Sequence, residues 1–412
     1  VGNFLPQLGD GRAVLLGEVV VRAGLRRDIQ LKGSGRTPFS RGGDGRASVG
    51  PVLREYIVSE AMHALGVPTT RALAAVSTGE RVYRETALPG AVLARVGASH
   101  IRVGTFQYFA ARSDLEAVHV LIDHVIQRHY PELAEAGNRP LALLEAVCEA
   151  QARLVAEWMR IGFIHGVMNT DNTALSGETI DYGPCAFVDD YHPGTVFSSI
   201  DVTGRYAFAN QPKIMQWNLA RFAEALLPAI DEDPEAAVPR ASEAVNGFAG
   251  RFERHWMGTM RRKLGLGTEE EGDDGLIDTL LETMAEAGAD YTLTFRRLAD
   301  AAEGADPGPL RVLFEPVDAL DGWLGDWRDR LEREGADPAA RAAAMRAANP
   351  AVIPRNYRVE EALNAAVYEG DLGPFEAMLA AMARPYDQRP DDDDHARPPG
   401  PGEQISATFC GT

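Results

Sequence analysis

The sequence predicts an α+β fold with two lobes: a small β-rich N-terminal lobe over residues 1–110 and a large helical C-terminal lobe over residues 111–384. Residues 8–105 are rich in Gly, Val and Thr, and short apolar runs bounded by Gly or charged pairs recur there, which is typical of β-strands. From about Leu115 the apolar residues recur at helical spacing instead. After Arg384 the chain is rich in Pro and Asp, so residues 385–412, which include Cys410, are expected to form a flexible acidic tail.

The N-terminal lobe is expected to contain a single helix among its strands. Strands are predicted at 13–16, 19–21, 29–31 and 91–94. The helix is predicted to begin at Pro51 and to end at Gly66, because Leu53, Ile57 and Leu65 recur at helical spacing between them. The chain begins at Val1 without a signal-peptide pattern, so this lobe is expected to be truncated at its N-terminus.

The C-terminal lobe is expected to be almost wholly helical. Two amphipathic helices are predicted around 118–125 and 144–158, and a polar loop segment follows from 165 to 191. Further helices are predicted at about 213–228, 237–264, 275–300, 316–333, 336–347 and 359–382.

Charge and composition exclude several classes of partner. The chain carries 41 Lys and Arg against 60 Asp and Glu, a net charge of −19, which disfavours binding to nucleic acid or to an anionic membrane. It has no run of about 18 apolar residues that would span a bilayer. Its three cysteines are too few for a disulfide framework and suit a reducing compartment, so a cytoplasmic location is expected. The heavy use of Arg, Ala and Gly is typical of a GC-rich bacterial coding bias, so the cytoplasm is expected to be bacterial.

Lysine is rare enough to be informative. Of the 41 basic residues only Lys32, Lys213 and Lys263 are lysines. A lysine retained in such a chain is expected where the planar fork of arginine cannot replace a compact ammonium group. Lys32 follows an apolar strand and precedes Gly33, so we expect it to be functional.

A glycine turn and a helix carboxylate accompany Lys32. The turn at Gly9, Gly11 and Arg12 exposes backbone N–H groups that can hold a phosphate, although by itself such a turn is more often an ordinary β-turn. A strand lysine behind it can reach nucleotide phosphates if a carboxylate holds it in place. Glu55, Glu60 and Glu80 are the candidates, and Glu55 is preferred because it lies in the first turns of the only predicted helix. This order of parts is that of the small lobe of a protein-kinase-like fold.

Other residues of the N-terminal lobe are candidates for binding anions. Asp44 and Gly45 lie in a loop rich in Arg and Gly. Arg95 and Arg102 flank a second turn and are expected to clamp a terminal phosphate, with a surface pair as the alternative.

The segment 165–184 carries the strongest signal. Asp181-Tyr182-Gly183 resembles the metal-binding Asp-Phe-Gly of kinases, and Asn172 precedes Asp181 by nine residues (181 − 172). Such a pair suits Mg²⁺, with Mn²⁺ as an alternative, bridged to phosphates. In ordinary kinases the catalytic Asp lies five positions before the metal-binding Asn, but here that position is Val167. Asp171 is therefore the expected base.

Taken together, these motifs resemble the selenoprotein O family. The resemblance rests on 9–13, 31–41, 44–47, 165–172, 181–184, 289–292, 349–350 and 355–357, so it covers essentially the whole chain. It implies a kinase-like fold and protein adenylyltransferase activity, in which ATP binds in a flipped orientation. AMP is then transferred to a Ser, Thr or Tyr hydroxyl of a protein substrate, and pyrophosphate is released.

The resemblance also implies a role for each matching residue. Nucleotide contacts are implied for Gly9, Gly11, Arg12, Lys32, Asp44, Gly45, Arg95 and Arg102, with Glu55 pairing with Lys32. Asp171 is implied as proton acceptor, and Asn172 and Asp181 as metal ligands. Cys410 matches a redox-active terminal position whose disulfide partner, Cys185 or Cys148, stays open. A kinase that transfers the γ-phosphoryl group and a pseudokinase that only binds nucleotide remain the alternatives.

Overall fold

The structure, a computed structural model, describes residues 11–22, 24–40, 42–389 and 393–409. Its N-terminal region is an antiparallel sheet, and one long helix interrupts the strand order. The elements are β1 (Ala13–Val20), β2 (Arg26–Lys32), β3 (Ala47–Ser48), α1 (Val49–Ala64), β4 (Arg71–Tyr83) and β5 (Ala87–Gly97). β1 pairs with β2, β2 pairs with β5, and β5 also pairs with β3 and β4.

Two expectations for this region need correction. The strands predicted at 13–16 and 19–21 form one strand, β1, whose register shifts between Leu15 and Gly17, so that a bulge separates the two apolar runs. The helix begins at Val49 rather than at Pro51, with Ser48 as its N-cap, so Pro51 lies in the first turn. Proline is tolerated there because the N–H groups of the first turn have no partner within the helix.

The C-terminal region is helical. Its helices are α2 (Val103–Ala110), α3 (Leu115–His129), α4 (Arg139–Arg160), α5 (Gln211–Ile230), α6 (Pro234–Asn246), α7 (Phe248–Leu264), α8 (Asp273–Ala287), α9 (Tyr291–Ala302), α10 (Gly308–Arg311), α11 (Asp318–Glu334), α12 (Pro338–Ala348), α13 (Asn356–Asn364), α14 (Gly373–Met382) and α15 (Asp393–Ala396). Between α4 and α5 a short hairpin pairs β6 (Phe163–Ile164) with β7 (Ala186–Phe187). No helix of the described residues is both long and apolar enough to cross a membrane.

Three of the predicted helices are divided by glycine. The segment 237–264 changes from α6 to α7 at Gly247, and 275–300 breaks after Gly288, whose φ is +61°. The segment 359–382 breaks at Gly370, whose φ is +72°. Gly288 and Gly370 reach these left-handed conformations without a Cβ penalty, whereas Gly247 has φ −64° and ends α6 in a right-handed conformation. At all three positions the helix ends while the apolar spacing continues on either side.

The helix α1 is covered by the far end of the chain. Leu53 and Ile57 of α1 share one apolar core with Val359 of α13 and Met378 of α14. Tyr56 also packs edge to face on Phe375, with ring centroids 5.6 Å apart. The N-terminal sheet and two C-terminal helices therefore both pack on α1. The predicted boundaries at 110 and 384 give no indication of this contact between the N-terminal and C-terminal regions.

The described part of the segment after Arg384 contacts the helical region. Thr408 donates its hydroxyl to the Pro184 carbonyl at 2.7 Å and its amide to the Phe197 carbonyl at 2.7 Å. Thr408 is fully buried, in contrast to the solvated tail that its composition predicts. The prediction for Cys410 lies outside the described residues.

Candidate active site

The strand register brings three polar side chains to one face of the sheet. Gln30 and Lys32 are two residues apart on β2, so they point to the same face, and Arg95 of β5 lies directly opposite Gln30. Gly33 follows with φ +95°, and a Cβ there would come within 2.6 Å of the Ala47 Cβ. The chain can therefore turn immediately after Lys32 only because residue 33 has no side chain.

Helix α1 covers this face and places Glu55 against both cations. Lys32 Nζ donates to Glu55 Oε2 at 2.6 Å, and Arg95 Nε donates to Glu55 Oε1 at 2.7 Å. The other two candidates for pairing with Lys32 are engaged elsewhere: Glu60 pairs with Arg71 and Glu80 with Arg46.

Asp181 completes a network of alternating charges. Its Oδ1 accepts from Lys32 Nζ, and Arg95 Nη2 lies 3.3 Å from the same oxygen. Two cations thus meet two carboxylates. The Glu55 side chain is 2% exposed and that of Asp181 is 31% exposed, so Asp181 is the open end of the network.

Electrostatics keep both carboxyl groups ionised. Burial raises the pKa of Glu55, but Arg95 and then Lys32 outweigh it and hold this pKa below its ordinary value. Burial likewise raises the pKa of Asp181, and Lys32 and Arg95 together hold it well below its usual range. Arg12 lies near enough to lower the Asp181 pKa further, which places the glycine turn beside the network.

The backbone around Asp181 is held in an uncommon conformation. Asp181 has φ +68°, a left-handed conformation that few residues other than Gly, Asn and Asp adopt. The carbonyl of the preceding residue, Ile180, accepts a hydrogen bond from His165 Nε2 at 3.0 Å. Burial lowers the His165 pKa, so the ring is neutral at pH 7. His165 therefore positions Asp181, a role that the sequence analysis did not assign.

Ion pairs and hydrogen bonds from distant segments fix the chain beyond Asp181. The Arg355 guanidinium is buried and lies 2.7 Å from carboxylate oxygens of both Asp189 and Asp290. Asn356 exchanges two hydrogen bonds with the Phe187 backbone, at 2.9 and 2.7 Å. The motifs at 289–292 and 355–357 thus stabilise the strand that follows the Asp-Tyr-Gly loop.

Asp171 and Asn172 lie in a short 3₁₀ turn (Thr170–Asn172) that packs on the beginning of α2. Arg102 Nη1 donates to the Asp171 carbonyl at 3.0 Å. Gly104 leaves room for the Asp171 carboxylate, because a Cβ at residue 104 would overlap its Oδ1. Asn172 Nδ2 donates to the Val167 carbonyl at 2.9 Å, so the amide oxygen is the end that remains for a ligand.

The remaining predicted residues lie in the loop after β2 and in the turn before β1. Asp44 forms a bidentate pair with Arg84, at 2.9 and 3.1 Å, and the hydrogen bonds from Arg84 lower the Asp44 pKa despite partial burial. Gly45 has φ +68°, and a Cβ there would overlap the Gly35 carbonyl. The Gly11 carbonyl accepts from Ser40 Oγ, which joins the turn to this loop. Gly9 lies outside the described residues.

The structure places Arg95 and Arg102 in different surroundings. Arg95 is buried between the two carboxylates, whereas Arg102 binds the backbone of Asp171. A joint clamp on one phosphate remains a prediction.

The donor set fits a metal ion that is held largely by phosphates. Among the described residues no group of three or more His, Cys, Asp or Glu side chains is arranged to bind a metal. Asn172 and Asp181 offer one amide oxygen and one carboxylate. Because Oδ1 of Asp181 already accepts from Lys32, its Oδ2 is the oxygen left for a metal. Mg²⁺ is commonly bound by one or two such oxygens together with substrate phosphates and waters.

Comparison with known proteins identifies the family. A family model described as protein adenylyltransferase SelO matches residues 1–383. The chain belongs to this family. The SelO chain is therefore an enzyme, a nucleotidyltransferase of the protein adenylyltransferase type, and the kinase alternative is not favoured.

Close relatives of this SelO chain carry the name protein nucleotidyltransferase YdiU. The protein from Rhizobium etli (strain CIAT 652) is 62% identical over 413 residues, which covers the whole of this chain and 82% of the relative. Those from Bradyrhizobium sp. (strain ORS 278) and from Methylorubrum extorquens are each 62% identical and are each covered to 84%.

Proposed function

We propose that this enzyme transfers AMP from ATP to Ser, Thr or Tyr hydroxyl groups of bacterial cytoplasmic proteins, in a site of protein-kinase-like architecture, and releases pyrophosphate. The observation that carries the proposal is the contact of Lys32 with both Glu55 of α1 and Asp181 of the Asp-Tyr-Gly loop. A strand lysine, a helix carboxylate and a metal-binding aspartate in contact are the recurring parts of kinase-like phosphoryl transfer.

The nucleotide is proposed to bind between the glycine turn and the loop after β2. Gly11 and Arg12 line one side, and Asp44 and Gly45 belong to the other. Gly9 is proposed as a further nucleotide contact on the resemblance alone. Lys32 supplies a compact positive charge that Glu55 holds in place. Arg95 and Arg102 add positive potential for the β- and γ-phosphates, which depart together as pyrophosphate.

Asn172 and Asp181 are proposed to hold Mg²⁺, with Mn²⁺ as an alternative. When bound, the ion neutralises phosphate charge and makes the α-phosphorus a better electrophile. The protein's own contribution is to fix the ligand oxygens: Asn172 is oriented by its hydrogen bond to Val167, and Asp181 by Lys32 and Arg95.

Asp171 is proposed as the general base. It accepts the proton of the attacking hydroxyl group, the hydroxyl oxygen bonds to the α-phosphorus, and the bond from that phosphorus to the bridging oxygen of the β-phosphate breaks. Its location fits this role because Gly104 leaves space for the carboxylate and Arg102 holds its backbone.

Two labelled nucleotides test the proposal. With ATP labelled at the α-phosphate, radioactivity should enter acid-precipitable protein, and with γ-labelled ATP it should appear only in pyrophosphate. The Asp181→Ala variant serves as the inactive control. Entry of the γ label into protein would make the enzyme a kinase. If neither labelled nucleotide gives a product in the presence of metal, the protein would be a pseudokinase.

A further inference from the structure

A separate cleft of about 640 Å³ lies where the ends of α1, α4 and α7 meet α12. None of the described residues that are proposed for nucleotide or metal binding lines it. Its volume lies within the roughly 300–1,000 Å³ that is usual for sites of small organic ligands. Most of its wall is apolar and built from alanine, glycine and leucine, among them Ala64, Leu65, Leu266, Ala344 and Ala347.

The charged residues that line the cleft have a net charge of one positive unit. Three arginines and two glutamates line it: Glu157, Arg160, Arg262, Glu334 and Arg341. The Glu157 carboxylate lies 2.6 Å from Arg160 and 3.6 Å from Arg262. The donors of Arg160 are further satisfied by backbone carbonyls and by Tyr386. A positive excess here stands out in a chain whose net charge is −19.

Arg341 carries this excess charge. Its nearest carboxylate, Glu334 Oε2, is 3.8 Å away. Glu334 is shared with other donors: its Oε1 accepts from the Gly267 and Thr268 amides and from Arg330 at 2.9–3.0 Å, and its Oε2 accepts from the Gly267 amide at 3.1 Å.

The guanidinium of Arg341 is also incompletely hydrogen-bonded. Arg341 is only 9% exposed; its Nη2 donates to the Leu331 carbonyl at 2.9 Å, while its Nε has no acceptor among the described residues. A buried guanidinium that lacks a hydrogen-bond acceptor and a close carboxylate is unfavourable, and an anion in the cleft beside it would offset that cost.

The wall around Arg341 is kept open by a glycine. Gly265 has φ +74°, and a Cβ there would come within 2.9 Å of Arg341 Cγ and 2.7 Å of Met345 Sδ. A side chain at residue 265 would displace the arginine from the cleft. The apolar wall and the buried arginine thus together define a site that is apolar along most of its surface and cationic at one end.

We propose that this cleft binds a small organic anion that combines an apolar body with one carboxylate group, of the kind that a medium-chain fatty acid presents. The carboxylate pairs with Arg341, with Arg262 at the exposed mouth adding to the attraction. The alkyl portion covers the alanine and leucine wall.

Isothermal titration calorimetry of the full chain with sodium octanoate, and with 1-octanol as the uncharged analogue, tests the proposal. Octanoate should bind at one site, at least about tenfold more tightly than octanol, because a hydrogen bond to a charged partner is worth that factor or more. Arg341→Met should weaken octanoate binding about tenfold and leave octanol unchanged. Equal affinity of the two probes, or no octanoate binding to the wild type, would overturn the proposal.

A matched pair of variants on one helix locates the site and does not depend on replacing the buried arginine. Ala343 and Ala344 are neighbours and are both exposed, but only Ala344 lines the cleft. Ala344→Phe should abolish binding of both probes, and Ala343→Phe should bind them as the wild type does. AMP transfer by both variants shows that each is folded. Unchanged octanoate binding in Ala344→Phe would place the ligand elsewhere and refute the assignment.

Discussion

Gly104 lies directly against the carboxylate of Asp171, so that a Cβ atom at residue 104 would overlap Asp171 Oδ1. Gly104 is the second residue of α2, and the Val103 amide beside it donates to the Thr173 carbonyl at 3.0 Å. The beginning of α2 and the 3₁₀ turn of Asp171 are therefore fitted to each other. The missing side chain at residue 104 sets the location of the proposed base.

Gly104→Ala should lower kcat for AMP transfer by about ten- to a hundredfold, because a displacement of a catalytic group by about 1 Å can cost that much. The matched control is Gly250→Ala, which also lies within a helix but has open space where the Cβ would be added. The control should keep wild-type kcat. Wild-type kcat in a Gly104→Ala protein of unchanged melting temperature would show that Asp171 need not lie there.

Asp181→Ala should reduce transfer by about a hundredfold or more, since it removes a proposed metal ligand and one of the two carboxylates that Lys32 and Arg95 share. Asp326→Ala, at an exposed position on α11, is the control and should retain activity. Transfer is measured with α-labelled ATP, and circular dichroism verifies the fold. Substantial turnover by a folded Asp181→Ala protein would remove Asp181 from the site.

Lys32→Arg should lower kcat/KM for ATP by about tenfold or more. The ammonium group contacts Glu55 and Asp181 at once beside the buried Arg95, and a second guanidinium does not fit that space. The control is Lys213→Arg, because Lys213 is exposed. Lys263 is unsuitable as a surface control, since it is buried and donates to the Arg160 carbonyl at 2.6 Å. Equal kinetics of the two variants would mean that lysine is not required at residue 32.

Acid should destabilise the protein partly through Glu55. Its folded pKa lies below the ordinary value because Arg95 and Lys32 outweigh the effect of burial. The stabilisation is therefore complete above the unfolded pKa of about 4.3 and is lost as the pH falls through the folded pKa. Below about pH 4.3 the free energy of unfolding should fall less steeply with pH in Glu55→Gln than in the wild type. The two slopes should differ by up to about 1.4 kcal/mol per pH unit.

Urea unfolding at pH 7, 5, 4 and 3 measures this difference. Glu376→Gln, at an exposed position on α14, should keep the wild-type slope. The same acid slope for Glu55→Gln and wild type would show that Glu55 takes up its proton alike in the folded and unfolded chains.

The sequence was most informative where chemistry is local. Glu55 could be chosen as the partner of Lys32 because a single helix was expected in the N-terminal region, and the two side chains are in contact. Arg95 was expected at a phosphate, whereas its contact with Glu55 follows from the pairing of Gln30 with Arg95, a register that no local pattern specifies. The contact of Gly104 with Asp171 joins residues far apart in sequence, so the glycine gave no signal.

Helix boundaries and lysine usage show the same limit. Apolar spacing located the helices but continued across Gly247, Gly288 and Gly370, where the backbone changes direction. The rarity of lysine indicated a special environment for Lys32, which lies between two carboxylates. Lys263 is also in a special environment, because it is buried, but Lys213 is exposed. Composition can thus show that a residue is constrained, while the kind of constraint depends on tertiary contacts.

The packing of α13 and α14 on α1 has a consequence for how the enzyme is made. Every residue proposed for catalysis has been synthesised once position 181 is translated, but the apolar cover of α1, which carries Glu55, is complete only after Met382. At about 5–20 residues per second, those 201 residues (382 − 181) take roughly 10–40 s. During that time α1 can pack on its sheet and, through Val58 and Met62, on the main helical core, but it lacks its cover from α13 and α14. Contacts of such long sequence separation form slowly. The nascent enzyme therefore acquires a firmly positioned Glu55, and with it a competent site, only after α14 has been translated.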